Sequence, residues 1–186
     1  RPRHGPPQAR VLARLGQSDD PATFSLLAIH AASIPDHFPS ALLAHTEKLA
    51  PPSATGREDL RALPLVTIDD EDARDFDDAV YAERDPNLPG GFRIVGAIAD
   101  VGWYVREDDP LDQEAERRGN SVYLPDRVVP MLPERLSNDL CSLRPREDRP
   151  CLIAEMFVDA SGKVERHRFA RAMMRSAARL TYARVQ

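Results

Sequence analysis

The chain has 186 residues, 42% of them hydrophobic and 30% charged, which is the composition of a globular protein rather than a disordered one. No apolar stretch approaches the ~20 residues needed to cross a bilayer, so no membrane association is predicted. The net charge of −5 does not by itself favour nucleic-acid binding. Residues 65–110 hold 4 basic and 13 acidic side chains, whereas residues 111–186 hold 14 and 11. The later arginines could face a polyanion or form a solvated, salt-bridged surface.

The first residues are rich in proline and predict a linker, so the chain is interpreted as a piece of a longer protein. Two short strands are predicted, at 11–16 and, after an Asp-Asp-Pro turn, at 24–30. Two strands do not make a stable domain. Residues 1–30 are therefore interpreted as the end of an upstream β domain.

A helical linker is predicted over residues 31–62. Its helix runs from Ser40 to Ala50 and is ended by Pro51-Pro52, and a polar connector follows. The next domain is predicted to begin at Leu63 and to extend over 63–186.

The most unusual stretch is an acidic run with seven carboxylates between Asp69 and Asp78 and a single base, Arg74. Strand-forming apolar residues flank the run, at 63–68 and 79–81, so it is predicted to lie at a strand end. Packing these carboxylates together is unfavourable unless water, protons or a cation offsets the repulsion. Oxygen ligands suit magnesium, calcium or manganese.

After the acidic run, strands at 78–83 and 92–99 are predicted to pair as an antiparallel hairpin. The second strand is almost entirely apolar, which predicts burial on both faces. It ends at Asp100, which could assist a metal site or cap the next turn, and the sequence leaves both roles open.

The remainder predicts an α+β fold with a mixed or antiparallel sheet and short helices. Cys141 and Cys151 are predicted to be buried free thiols in a reducing cytoplasm. The further predicted elements are a helix from Asp109 to Arg118, an extended segment at 120–125, a loop at 128–133, one or two helical turns at 137–143, a hairpin of strands 151–158 and 163–171, and a helix beginning at Ser176.

Three kinds of chemistry are compatible with an acidic run of this type. A calcium loop starting at Asp69 fails, because its sixth and twelfth positions hold Arg74 and Val80 instead of glycine and a carboxylate. Aspartate-rich boxes that bind prenyl diphosphates belong to helices, whereas this run lies between strands. Phosphoryl transfer to water through magnesium remains. Alternation along an extended chain would place Asp75 and Asp77 on one face.

The run from Thr67 to Tyr81 resembles the signature of the ribonuclease II/ribonuclease R family of exoribonucleases, within their catalytic RNB domain. Five further motifs match the family in order and spacing, so the resemblance spans 63–186 and is closer to the ribonuclease R branch. These motifs are Ile98–Val105, Arg118–Pro125, Pro130–Pro133, Leu136–Leu143 and Ala178–Tyr182. With this resemblance, residues 1–30 are interpreted as the end of an upstream cold-shock or OB-type β-barrel.

The resemblance implies magnesium-dependent, processive hydrolysis of single-stranded RNA from its 3′ end, releasing nucleoside 5′-monophosphates. It implies an active centre of Asp69, Asp75, Asp77 and Asp78. Asp69, Asp75 and Asp78 match metal ligands, and Asp77 matches an aspartate needed for cleavage but not for RNA binding. Asp70 stands where the family commonly has glycine.

The same resemblance implies two RNA-binding aromatic residues. Tyr123 matches a ring that stacks on the terminal nucleotides, and Tyr182 matches a second tyrosine at the cleavage end. Read without the resemblance, either ring could instead lie in the core.

The family's catalytic domain continues beyond Gln186, so the isolated chain is expected to bind magnesium weakly and to have little or no activity. The protein is expected to be cytoplasmic and monomeric. Two other functions stay open, a non-catalytic RNB-like RNA-binding module and a calcium-stabilised structural domain.

Overall fold

A computed structural model describes residues 9–11, 13–17 and 19–186. Its main feature is a seven-stranded sheet with the spatial order β1-β8-β7-β4-β3-β2-β9, beside a separate β5-β6 hairpin. The strands are β1 (Glu58–Leu60), β2 (Val66–Asp69), β3 (Asp78–Arg84), β4 (Phe92–Ala99), β5 (Val122–Leu124), β6 (Arg127–Val129), β7 (Asp148–Val158), β8 (Val164–Arg175) and β9 (Ala178–Thr181). The helices are α1 (Pro21–Ala31), α2 (Ser40–Thr46), α3 (Val101–Tyr104), α4 (Pro110–Arg118) and α5 (Tyr182–Val185), with a π-helical segment at Leu136–Leu140.

The sheet is mixed, which confirms the predicted α+β class. Its central pairs are antiparallel, including the predicted hairpins β3-β4 and β7-β8. Both edge strands are parallel to their neighbours, β1 to β8 and β9 to β2. Edge strand β1 lies within the segment that the sequence assigned to the linker.

The core lies on one face of the sheet, under α2, α3, α4 and the π-helical segment. In β4, Val95, Ala97 and Ala99 point into this core, whereas Ile98 on the opposite face is 51% exposed. The prediction that β4 is buried on both faces is therefore wrong for this chain. Apolar composition does not distinguish the two faces, and the packed elements cover only one of them.

The predicted strand at 24–30 is also wrong, because these residues lie in α1. Asp20 caps this helix by accepting a hydrogen bond from the Ala22 amide at 3.0 Å, and Pro21 takes the first helical position. The Asp-Pro pair thus starts a helix instead of forming a turn. The described residues at 11 and 13–16 form no strand either. The assignment of residues 1–30 to an upstream barrel stays a prediction.

The helix predicted from Ser176 is replaced by β9, with only the short α5 after it. The free edge of β2 provides the reason, because β9 pairs with it in parallel from Val66↔Ala178 to Asp69↔Thr181. Sheet pairing has overridden the local helical preference.

Two further predictions concern cysteines and membranes. Cys141 and Cys151 are buried and free, as predicted, and burial raises the pKa of each thiol to about 12. None of the helices in the described ranges is long and apolar enough to cross a membrane.

Candidate active site

The acidic loop, defined as residues 70–77, connects the end of β2 to the start of β3. Asp69 is the last residue of β2 and Asp78 is the first residue of β3. Because these strands are antiparallel neighbours, both aspartates lie at the same end of the sheet. The predicted position of the run at a strand end is therefore observed.

The second half of the acidic loop is held by the backbone of Phe76. Its amide donates to Oγ of Ser142 at 3.2 Å, and its carbonyl accepts from the Leu143 amide at 2.8 Å. The Ser142 hydroxyl also donates to the carbonyl of Arg74 at 2.8 Å. The Phe76 side chain is buried in the core. Asp75 and Asp77 therefore project from an anchored stretch of chain.

The four aspartates act on one another electrostatically. Burial and the negative charges of Asp75, Asp78 and Asp69 raise the pKa of Asp77 to about 6. Burial and the charge of Asp78 also raise the pKa of Asp69. Asp77 is exposed to solvent. Water therefore weakens the contribution of burial to its pKa, and the neighbouring negative charges are the more important cause. A bound cation would reduce the electrostatic repulsion among these clustered carboxylates.

The donor atoms of the acidic cluster have the chemistry that magnesium requires. All the candidate ligands are carboxylate oxygens, which suit a hard cation. Oδ2 of Asp69 is buried and has no hydrogen-bond partner. As the side chains stand, however, no three His, Cys, Asp or Glu residues in the described ranges form a group placed to hold a metal ion. The donor chemistry and charge fit magnesium, and the aspartate side chains would have to converge further to hold the ion.

Tyr123 lies beside the acidic loop. It is the middle residue of β5, the residue is 67% exposed, and its hydroxyl donates to Oδ2 of Asp75 at 3.3 Å. Burial and the charge of Asp75 raise the pKa of the tyrosine. Tyr123 is therefore not a core ring and is placed where a bound strand could reach it.

Tyr182 also stands outside the core. It is 55% exposed and begins α5, immediately after Thr181, which pairs with Asp69 across the β2-β9 register. The pairing places its backbone at the same end of the sheet as the aspartates.

The carboxylate of Asp100 pairs with a buried arginine and does not cap the next turn, whereas a role at a metal site stays a prediction. Its carboxylate accepts a hydrogen bond from Nη2 of Arg57 at 2.6 Å, and both side chains are almost fully buried. It provides no side-chain cap for α3. The Arg57 guanidinium also lies 5.5 Å from the ring centre of Trp103. Asp100 is therefore a structural partner that links the start of β1 to the end of β4.

Sequence reasoning missed Arg179, which contacts the acidic loop directly. Its Nη2 donates to the carbonyls of Asp70, at 2.8 Å, and Glu71. Arg179 lies within a motif matched from the sequence, but a contact across 109 positions leaves no local signal.

Comparison with known families gives one match over most of the chain. The RNB domain model matches residues 57–186, which confirms the family resemblance predicted from the motifs. Ribonuclease R of Vibrio cholerae is 51% identical over 95% of this chain, and Ribonuclease R of Escherichia coli K12 is 52% identical over 86%. The chain spans only 22% and 20% of the lengths of these relatives.

Solved structures show the same relationship. Mycoplasma genitalium RNase R in complex with ribose-methylated single-stranded RNA aligns with a TM-score of 0.85 and 35% identity, over 92% of this chain and 27% of that one. The same enzyme in complex with double-stranded RNA also gives 0.85 and 35%, over 92% and 31%. Yeast Ssd1, described as a pseudonuclease, shares the fold alone, at 17% identity and a TM-score of 0.64 over 74% and 17%.

Proposed function

The chain belongs to the RNB domain family, and on that premise we propose that it is part of a magnesium-dependent exoribonuclease. The full-length protein would hydrolyse single-stranded RNA from its 3′ end and release nucleoside 5′-monophosphates. Relatives named Ribonuclease R support the exoribonuclease activity, and a solved relative in complex with single-stranded RNA supports the substrate. Because the chain spans about a fifth of these relatives, the proposal concerns the full-length protein.

The observation that carries the proposal is the cluster of four interacting aspartates beside an exposed tyrosine. Asp69, Asp75 and Asp78 would hold magnesium, which when bound acts as a Lewis acid and lowers the pKa of its water. The Asp77 carboxylate would accept a hydrogen bond from the attacking water and orient it.

The proposed reaction transfers the terminal nucleotidyl group of the RNA to water. The water oxygen forms a bond to the last internucleotide phosphorus, and the bond from that phosphorus to the 3′ oxygen of the preceding nucleotide breaks. The terminal nucleotide leaves with a 5′ phosphate. The attacking water loses one proton, and the 3′ oxygen of the shortened RNA gains one to become a hydroxyl. Tyr123 and Tyr182 would hold the end of the RNA by stacking, worth about 1–3 kcal/mol per base without sequence preference.

The test uses the full-length protein, a 5′-labelled single-stranded RNA and magnesium. We expect stepwise shortening from the 3′ end, with nucleoside 5′-monophosphates identified by chromatography. Asp77→Asn should stop cleavage and keep RNA binding. Internal cuts, products with 3′ phosphates, or full activity in EDTA would each contradict the proposal.

A non-catalytic RNA-binding module is the second candidate. It is favoured by the finding that no three potential ligands in the described part of the chain are placed around a common metal position. RNA binding by the unsubstituted full-length protein without any shortening would establish this candidate. A calcium-stabilised structural domain would instead show calcium outcompeting magnesium, and no RNA binding.

The cellular setting belongs to the same proposal. The two buried free thiols are consistent with a reducing cytoplasm. We also propose that the protein acts as a monomer.

A further inference from the structure

Arg179 joins the strand that carries it to the first half of the acidic loop. It lies on β9 opposite Thr67 of β2, and two residues later Thr181 lies opposite Asp69. From there its Nη2 donates to the carbonyl of Asp70 at 2.8 Å and to that of Glu71. The chain immediately after Asp69 is therefore tied to β9 through a single side chain.

The same guanidinium also reaches the second half of the acidic loop. Its central carbon lies 5.2 Å from the ring centre of Phe76, within the range of a cation–π contact. Phe76 is the residue between Asp75 and Asp77, and its backbone is fixed by Ser142 and Leu143. Arg179 thus contacts both halves of the acidic loop.

We infer that Arg179 is a positioning residue that fixes the spacing between Asp69 and the aspartates around Phe76. Because Tyr182 lies three residues after Arg179, the same contacts also fix the position of the acidic loop relative to Tyr182. This inference rests on the proposed function, in which these aspartates hold the metal. A metal site needs its ligands held within about 0.5 Å of the productive geometry. Neighbouring side chains that contact the ligand-bearing chain provide this positioning.

A purely electrostatic role for Arg179 gives the opposite prediction. Its positive charge repels a bound cation, so removing the charge alone would tighten metal binding. If Arg179 instead positions the acidic loop, removing it would weaken metal binding. The sign of the change therefore separates the two roles.

The experiment compares Arg179→Met with the unsubstituted protein, both as the full-length chain, in two measurements. Amide hydrogen exchange in the absence of metal is followed by mass spectrometry, and Mn²⁺ affinity is obtained from the EPR signal of free Mn²⁺. We expect exchange to accelerate in residues 70–77 but not in β7, and the Kd for Mn²⁺ to rise about 10-fold, the lower end of the range for residues supporting metal ligands.

Arg166→Met is the matched control. Arg166 also lies over a phenylalanine ring, with its guanidinium carbon 3.4 Å from the centre of Phe157. This contact lies at the end of β7 and β8 that is far from the acidic loop. We expect this variant to leave both the exchange of residues 70–77 and the Mn²⁺ affinity unchanged.

Arg179→Lys is the second variant, and it decides the question if Arg179→Met does not fold. Lysine keeps the charge but lacks the planar guanidinium that spans the acidic loop. A weaker Mn²⁺ affinity in this variant, with native circular dichroism, supports positioning because the charge is unchanged. Unchanged affinity in Arg179→Lys, or tighter affinity in Arg179→Met, overturns the inference.

Failure of the proposed function has a different signature. If the unsubstituted protein binds no Mn²⁺, the metal-dependent part of that proposal fails. Hydrogen exchange in the metal-free protein then still decides whether Arg179 orders the acidic loop, and unchanged exchange in Arg179→Met overturns the inference.

Discussion

The hydroxyl of Tyr123 donates to Oδ2 of Asp75 at 3.3 Å, across 48 positions of sequence. The hydrogen bond uses the edge of the tyrosine, while two-thirds of the residue stays exposed. One side chain can therefore contact a candidate metal ligand and still offer its ring to a nucleotide base.

The first prediction separates the ring of Tyr123 from its hydroxyl. Tyr123→Ala should weaken binding of single-stranded RNA by about 1–3 kcal/mol, or roughly 5- to 150-fold in Kd, because stacking is lost. Tyr123→Phe should bind RNA nearly as well as the unsubstituted protein. Fluorescence anisotropy at one fixed salt concentration checks both. Equal losses in the two variants would show that the hydroxyl, and not the ring, provides the binding.

The second prediction concerns pH and Asp77. The folded protein raises the pKa of this carboxyl from 3.8 to about 6, so the folded state holds the proton more tightly than the unfolded state. The resulting stability is present at low pH and is lost as pH rises through about 6. In metal-free protein, Asp77→Asn should therefore raise the melting temperature at pH 7, and the difference should shrink as pH falls toward 4.

Asp72→Asn is the control for this measurement. Asp72 belongs to the same acidic loop and is exposed. Its substitution should give no comparable change between pH 7 and 4. A pH-independent difference for Asp77→Asn would contradict the assignment of the pKa shift to Asp77.

The third prediction concerns magnesium and folding stability. If Mg²⁺ binds the folded state and not the unfolded state, a Mg²⁺ concentration 100 times its Kd should raise the free energy of unfolding by about 2.7 kcal/mol. Asp69→Asn should abolish most of this gain, whereas Glu71→Gln, on the exposed part of the acidic loop, should retain it. Urea unfolding with and without Mg²⁺ measures the difference. Equal gains in both variants would remove Asp69 from the proposed ligands.

The fourth prediction concerns the buried pair between Arg57 and Asp100. Breaking such a pair leaves an uncompensated buried charge, so Arg57→Met should lower the free energy of unfolding by about 3–5 kcal/mol. Replacing both residues, with Arg57→Met and Asp100→Leu, should recover much of that loss. Urea unfolding of the two single variants and the double variant checks the coupling.

An exposed pair provides the comparison for this cycle. Arg61 and Asp59 also form an ion pair, at 2.6 Å, but solvent reaches both side chains. Arg61→Met should change the stability little. A loss as large as that of Arg57→Met would show that burial is not the reason for the effect.

Several features of this fold that depend on residues close together in the sequence were predicted correctly. The hairpins β3-β4 and β7-β8 follow from strand-forming segments separated by turn residues, and α4 follows from Asp109 as cap and Pro110 at the first position. The position of the acidic run at a strand end follows from its apolar flanks. Each of these features depends on residues close in sequence.

Features that depend on distant partners were missed or misread. Residues 178–181 were expected to be helical, but they pair with the edge of β2 and form β9. The carboxylate of Asp100 accepts a hydrogen bond from Arg57, which is distant in sequence. The Asp20-Pro21 pair was interpreted as part of a turn, whereas it begins the helix α1. Neither the pairing of a strand edge nor the partner of a buried charge can be read from neighbouring residues.

The late position of β9 in the sequence has a consequence for biosynthesis. The carboxylates at 69–78 leave the ribosome about a hundred residues before Arg179, whose contact with Asp70 spans 109 positions. At 5–20 residues per second this interval lasts about 5–20 s. Throughout it, the nascent chain carries its acidic cluster without the strand that borders it. The acidic loop is therefore expected to reach its final arrangement only after this strand has emerged.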